Sequence, residues 1–323
     1  MLGYWAYYYE MRIFMHKNVL NELSTIRDFI RYLTTEFKRA GLYYSHGTTN
    51  AWDEAVALIF YALYLDHELY PQVIDAKLSQ EEKYRIDALA EERIIHRKPL
   101  PYLTHEAYFA GLKFYVDERV LIPRSPLAEV IENQFLPWIK DANKVHHIMD
   151  LCCGSACIAI ACAQFFPDAE IDAVDISDDA LAVAEININK FEVNDRVRLI
   201  QSDLFSNIPQ QSYDVIIANP PYVDAQDMKN LPNEFLHEPT LALSGGPDGL
   251  NYVRDILRNA AQYLNKQGIL IVEVGNSAEA LLEYFPQVPF TWLEFTKGEA
   301  EVFLLTKEQL TQCQVIASAN YLV

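Results

Sequence analysis

The chain has 323 residues, with 26 Lys and Arg against 45 Asp and Glu, a formal net charge of −19. At 51% hydrophobic and 22% charged it has the make-up of a folded globule of one large or two medium domains, which excludes disordered, collagen-like and coiled-coil chains. The longest unbroken apolar run, Ala55 to Leu65, is about half of the roughly 20 residues a spanning helix needs, so no membrane span is expected.

The opening stretch, residues 1–14, is crowded with tyrosine and lacks both a basic leader and a small-residue cleavage site after an apolar core. A secretory signal does not fit, a cytoplasmic protein is expected, and these residues are read as a peripheral extension. Residues 15–100 read as a small helical domain. Val19, Leu23, Ile26, Ile30, Leu33 and Phe37 recur at helical spacing up to a stop at Gly41. A second helix starts at the cap Asn50, and a third starts at Ser79, where Ser79 and Glu82 match a capping box, and runs to about Arg97 before Pro99 ends it. Residues 101–122 form a connector, with two aromatic β-favouring runs around Ala110-Gly111 that predict a hairpin.

Residues 123–323 change character. Short apolar runs at 145–151, 170–175, 196–201, 213–218 and 268–274 alternate with helical stretches. The alternation predicts an α/β fold, a Rossmann-like, doubly wound and mostly parallel sheet. A final pair at 291–296 and 301–306, turning at Lys297-Gly298, adds an antiparallel edge and brings the sheet to seven strands. The charge is uneven: residues 1–122 carry 14 basic and 17 acidic side chains, whereas residues 123–323 carry 12 and 28, a net −16.

Four of the five cysteines fall between Cys152 and Cys162. They are too close together to staple a fold and lack paired C-x2-C ligand spacing, so they are read as packing residues, with no metal expected. The first strand exits through Asp150-Leu-Cys152-Cys153-Gly154-Ser155 into a helix, and its small residues permit close approach to backbone N–H groups. Without G-x-G-x-x-G a dinucleotide site is poorly matched. Asp175 ends the second strand, placed to accept ribose hydroxyls. Asp203 follows the third, placed for an adenine amino group with Leu204 or Phe205 against the ring. Each acid alone is equally an ordinary helix cap. In series, Asp150, Asp175 and Asp203 predict one negative crevice suited to a cationic cofactor, and S-adenosyl-L-methionine carries a sulfonium.

The fourth strand runs into Asn219-Pro220-Pro221-Tyr222. Consecutive prolines continue neither ladder nor helix, so they hold an extended backbone with free carbonyls. The Asn219 amide oxygen and the Pro220 carbonyl then form a pair of acceptors for a planar NH2 group, with the Tyr222 ring against its flat π-system. A planar amine or amide is a poor nucleophile because its lone pair is delocalised. Acceptors that favour a pyramidalising nitrogen activate it selectively in the transition state, without a general base beforehand. Alignment for in-line displacement adds several kcal/mol, on the order of 7–11 in favourable intramolecular cases.

With these residues assembled, the chain resembles the class I S-adenosylmethionine-dependent methyltransferases of the protein-glutamine type over most of its length after Met15. The matching motifs are Asp150 to Ser155 for the methionine end, Asp175 for ribose, Asp203-Leu204 for adenine and Asn219 to Tyr222 for the target amide; Glu238-Pro239 and Ala242 to Gly249 also match. The resemblance implies cofactor contacts at Asp150, Cys152, Gly154, Ser155, Asp175, Asp203, Leu204 and Asn219. It implies substrate contacts at Asn219, Pro220, Pro221, Tyr222 and Arg124, with Asn219, Pro220 and Tyr222 at the chemistry. Ile122-Pro-Arg-Ser-Pro-Leu-Ala-Glu129 differs from the R-P-E-T-E of the release-factor branch and is similar to the branch that methylates a glutamine of large-subunit ribosomal protein L-three. The chain departs from the family at Ala156, where glycine is usual, and at Cys153, where threonine is common. The implied partner is a basic ribosomal protein, free or on a large-subunit assembly intermediate. The same tetrapeptide occurs in adenine-amino methyltransferases of DNA or RNA, which need a basic track that a −16 catalytic part does not supply. A local basic patch is expected among Arg27, Arg31, Lys38 and Arg39, or Arg93, Arg97 and Lys98, touching the substrate or its RNA. The alternatives are a release-factor glutamine methyltransferase, then the adenine-amino DNA or RNA methyltransferase, and last a non-catalytic ribosome-assembly module.

Overall fold

The computed structural model describes residues 14–15, 17–296 and 301–312. The expected extension before residue 14 and the expected turn at Lys297-Gly298 lie outside the described residues. The chain folds as two units, one holding the residues up to His105 together with Pro232–His237, the other holding Glu106–Leu231 and the residues from Glu238 onward. The hairpin read as a connector is therefore part of the second unit, while six residues from the middle of the catalytic sequence belong to the first. Among the described residues no helix is long and apolar enough to cross a membrane.

The first unit is helical, with Lys17–Glu22, Ile26–Arg39, Ala51–Ala62 and Gln80–Ile94 as its longer helices. The single helix expected over Val19–Phe37 is in fact two. Thr25 and Asp28 form a capping box that starts a new helix at Ile26, and the apolar period happens to continue across the break. Asn50 and Ser79 cap the next two helices as expected. The latter ends at Ile94, short of Arg97, whose φ of +60° is not helical. Phe29, Leu33, Phe37, Ile59, Phe60 and Ile86 are among the buried residues of this core.

The expected basic patch needs correction. Arg93 is 1% exposed and pairs with Glu54 and with Glu234, the latter at 3.2 Å; it also donates to the Tyr43 carbonyl at 3.0 Å. Burial raises the Glu234 carboxyl, but the Tyr43 N–H and Arg93 outweigh it and hold the group below its ordinary value. Arg97 lies 3.6 Å from Glu234, Arg27 pairs with Asp75 and Arg39 with Glu36. Arg93 is therefore withdrawn from any exposed patch, whereas Arg27, Arg31, Lys38 and Arg39 are exposed, Arg27 and Arg39 within ion pairs.

The second unit begins with the hairpin β1 (Ala107–Phe109) and β2 (Leu112–Phe114), which turns through Ala110 and Gly111, both at positive φ. The main strands are β3 (His147–Leu151), β4 (Glu170–Asp175), β5 (Val197–Gln201), β6 (Tyr213–Ala218), β9 (Leu264–Glu273), β10 (Thr291–Trp292) and β11 (Val302–Thr306); a small pair, β7 (Val223–Asp224) and β8 (Ser244–Gly246), stands apart. The seven-stranded sheet has the order β10-β11-β9-β6-β3-β4-β5. β9 through β5 are parallel, and β11 and β10 are antiparallel at the edge. Alternate residues feed two cores. Ile148, Ile171, Val215, Ile217 and Ile271 pack with helix Cys157–Phe165 on one face. Met149, Leu151, Ile216, Leu270 and Phe303 pack with helix Asn251–Tyr263 on the other. Covering both faces is what a parallel sheet requires. The carboxyl ends of β3, β4, β5 and β6 consequently open at one edge, where the expected site residues stand.

Candidate active site

A cavity at that edge is lined by Cys152 to Ser155, Asp175, Asp203, Leu204 and Asn219, together with Arg124, Ser125 and Pro221. The turn after β3 has three residues at positive φ, Cys152, Gly154 and Ala156. A Cβ built at Gly154 meets nothing within 4 Å, so this stretch of backbone borders open space. Ala156 at φ +60° carries a strain that glycine would avoid, in the place where the resemblance leads one to expect glycine.

The three acidic strand ends behave differently. Asp150 does not face the crevice as expected and does not line the cavity. It is fully buried on the side of helix Cys157–Phe165, where its Oδ2 accepts the Ala159 N–H at 3.0 Å. Its Oδ1 is buried with no hydrogen-bond partner among the described residues, and burial, aided by the charge of Asp175, pushes its carboxyl well above the ordinary range. The physical reason is strand alternation: Asp150 shares its face with Ile148, towards the helix. Asp175 does line the cavity. Its Oδ2 accepts the Gly154 N–H and its Oδ1 the Ser177 N–H, each at 2.9 Å, and burial raises its carboxyl despite those bonds. Asp203 is exposed at the cavity wall beside Leu204. Phe205 turns away and stacks on Tyr263, with ring centroids 4.8 Å apart, so Leu204 is the apolar neighbour the cavity receives.

Asn219 and Pro221 line the cavity, whereas Pro220 is buried and Tyr222 half-buried, and neither of those two lines it. The Tyr222 hydroxyl donates to Glu273 Oε1 at 2.9 Å, and burial raises it strongly. Arg124 makes a bidentate pair with Glu238, 2.6 and 2.9 Å, and Glu238 Oε1 also accepts the Ile122 N–H at 3.0 Å. Arg119 is likewise matched by Asp117. Both cations at the rim are thus neutralised, and Asp175 and Asp203 leave an excess of carboxylate. Cys152, Cys153, Cys157 and Cys162 are free, and burial raises every one of these thiols, Cys157 to about 12. Protonated thiols of this kind are packing groups and poor nucleophiles.

Three cavity residues stand outside the sequence motifs: Ile176, 46% exposed there, and Tyr252 and Leu241, which also line it. Ile176 carried a signal, since it is an apolar residue directly after a strand-ending acid. Tyr252 and Leu241 reach the cavity only through tertiary folding.

The family description "Methyltransferase small domain" matches residues 133–247. The ribosomal protein uL3 glutamine methyltransferase of Francisella tularensis is 49% identical over 92% of this chain and 94% of its own length. The protein of the same description from Neisseria meningitidis serogroup B is 48% identical over 92% of this chain and 97% of its own. Among solved structures, the hMettl16 catalytic domain in complex with MAT2A 3′UTR hairpin 6 is 17% identical with a TM-score of 0.49, covering 77% of this chain and 91% of that one.

Proposed function

The chain belongs to the family of ribosomal protein uL3 glutamine methyltransferases, and on that premise we propose that it transfers the methyl group of S-adenosyl-L-methionine to the side-chain amide nitrogen of a glutamine in uL3. The observation that carries this reading is the placement of Asn219 on the wall of the same cavity as Asp175 and Asp203. The residues present fit the cofactor. Each Asp175 oxygen accepts one backbone N–H and keeps a lone pair for a ribose hydroxyl. Exposed Ile176 and the largely buried Leu204, which lines the cavity, offer apolar surface to a purine, Asp203 offers an acceptor for its amino group, and the uncompensated carboxylates favour a cation. Bound there, the cofactor would supply an electrophilic sulfonium methyl.

The protein's part is then to present the amide. Asn219 Oδ1, on the cavity wall, accepts one amide hydrogen, and the carbonyl of Pro220, a residue that does not itself line that cavity, is the second acceptor in this reading; the double proline fixes both before substrate arrives. As the nitrogen pyramidalises its hydrogens become more acidic, so these bonds strengthen in the transition state more than in the ground state. Arg124, held by Glu238, stands where it can fix the substrate backbone. The reaction is placed in the cytoplasm because a ribosomal protein is its substrate, met free or on a large-subunit assembly intermediate.

The test is to incubate the protein and labelled cofactor separately with uL3, a release factor and DNA. Label on uL3 alone is expected, and label on the release factor or DNA instead would overturn the substrate assignment. Asn219→Ala should keep cofactor affinity within a few-fold and lower kcat by about 100-fold or more, the scale for loss of one preorganised polar group. Turnover near wild type would remove the acceptor role.

A further inference from the structure

Glu273 ends β9 one position beyond Val272, whose partner across the sheet is Ala218, the residue before Asn219. It is 3% exposed, and both its oxygens are engaged. Tyr222 donates to Oε1 at 2.9 Å and Ser125 donates to Oε2, while Ser125 Oγ accepts the Leu127 N–H at 3.1 Å. Burial pushes the Glu273 carboxyl above its ordinary range, although the two hydroxyls and nearby Arg124 pull it back. A buried carboxyl is a costly filler for a sheet end that an apolar side chain would fill more stably.

The surrounding contacts converge on the same tetrapeptide. Ser277 Oγ donates to the Tyr222 carbonyl at 2.7 Å. A Cβ at Gly275 would lie 2.4 Å from the Tyr222 ring, one at Gly249 2.3 Å from the Tyr222 carbonyl, and one at Gly245 2.8 Å from the Pro221 carbonyl. Glycine backbone packs against this segment where a side chain has no room, and Glu273 holds the Tyr222 hydroxyl. Ser125, at its other oxygen, lines the cavity.

We propose that Glu273 is a positioning residue for methyl transfer: its two carboxylate oxygens bind the Tyr222 and Ser125 hydroxyls and so lock the acceptor segment Asn219–Tyr222 to the cavity rim. The inference rests on the reading of that segment as the amide site. It gives Tyr222 a fixed hydroxyl anchor, and it explains why an acid is kept where an amide would have the same shape. Glutamine would offer one acceptor oxygen and an NH2, so one of the two hydroxyls would have to turn from donor to acceptor and its own proton would lose its buried partner. A misplacement of about 1 Å at a reacting centre can cost on the order of 100-fold in rate.

The test compares Glu273→Gln, Tyr222→Phe and the double variant in the full chain. With uL3 and S-adenosyl-L-methionine, each single change should lower kcat by about tenfold or more and leave the KM for cofactor within about twofold. The double variant should be no slower than Glu273→Gln alone, because that change disturbs both the Tyr222 and the Ser125 links and Tyr222→Phe removes only the first. Hydrogen exchange without substrate should rise about tenfold at residues 222–227 in both single variants, and at 123–127 in Glu273→Gln, with β3 and β4 unchanged. Additive kcat losses, unchanged exchange at the two segments, or a rise through the whole sheet would each overturn the proposal. If wild type failed to methylate uL3 while exchange behaved as expected, the substrate reading would fall and the clamp would stand. Should Glu273→Gln not fold, Tyr222→Phe alone decides, since it removes a single oxygen.

Discussion

At the residue scale, neighbouring carboxylates of one sheet edge have been given different work. Asp175 keeps lone pairs facing the cavity, whereas Asp150 is withdrawn behind it to receive a helix N–H. Because Asp150 has its folded-state pKa raised, the folded protein holds that proton more tightly than the unfolded chain. Its contribution to stability is therefore fully present below the ordinary carboxyl range and is lost as pH rises towards the raised value. Asp150→Asn keeps an acceptor for Ala159 and carries no charge. Its stability relative to wild type should improve steadily from about pH 4 upward, the ordinary carboxyl value, until the raised pKa is passed. Urea unfolding across pH measures this, and a difference independent of pH would show that Asp150 does not titrate as its burial demands.

At the element scale, the strands that carry the site were legible and some helix boundaries were not. β4 and β6 run over the expected residues because each is a short apolar run stopped by an acid or by prolines. β9 begins earlier than expected, at Leu264, since Asn265, Lys266 and Gln267 disguise a strand end that pairs through a register shift near Tyr213. The break before Ile26 was hidden because Leu23 and Ile26 keep the helical period, although Thr25 and Asp28 spell out the cap. In the site, Asp175, Asp203 and Asn219 could be read from strand ends, but Glu273 and Ser125 could not, as they meet across 148 residues of chain. The same holds for the Arg93 cluster, whose partner Glu234 is 141 residues away. Arg93→Ala would leave Glu54 buried without its cation and Glu234 with Arg97 at 3.6 Å alone, and should destabilise the helical unit by about 3–5 kcal/mol. Denaturant unfolding followed by helical signal checks this, and a loss within about 0.5 kcal/mol, the range of ordinary surface changes, would contradict it.

At the scale of the whole molecule, the acidic excess sits almost entirely in residues 123–323, which carry a net −16. Such a field raises the encounter rate with a basic protein and repels nucleic acid. Raising salt from about 50 to 300 mM shortens the screening length to well under 10 Å, so kcat/KM for uL3 should fall several-fold while kcat changes little. A kcat/KM insensitive to salt would show that charge does not guide the encounter. Whether Asn219 and its neighbours hold a glutamine amide for methyl transfer is decided by fragmentation mass spectrometry of uL3 after reaction with S-adenosyl-L-methionine. A methyl group on the side-chain nitrogen of a glutamine, lost with Asn219→Ala, is expected; a methyl on lysine or arginine, or undiminished glutamine methylation by that variant, would rule the acceptor role out.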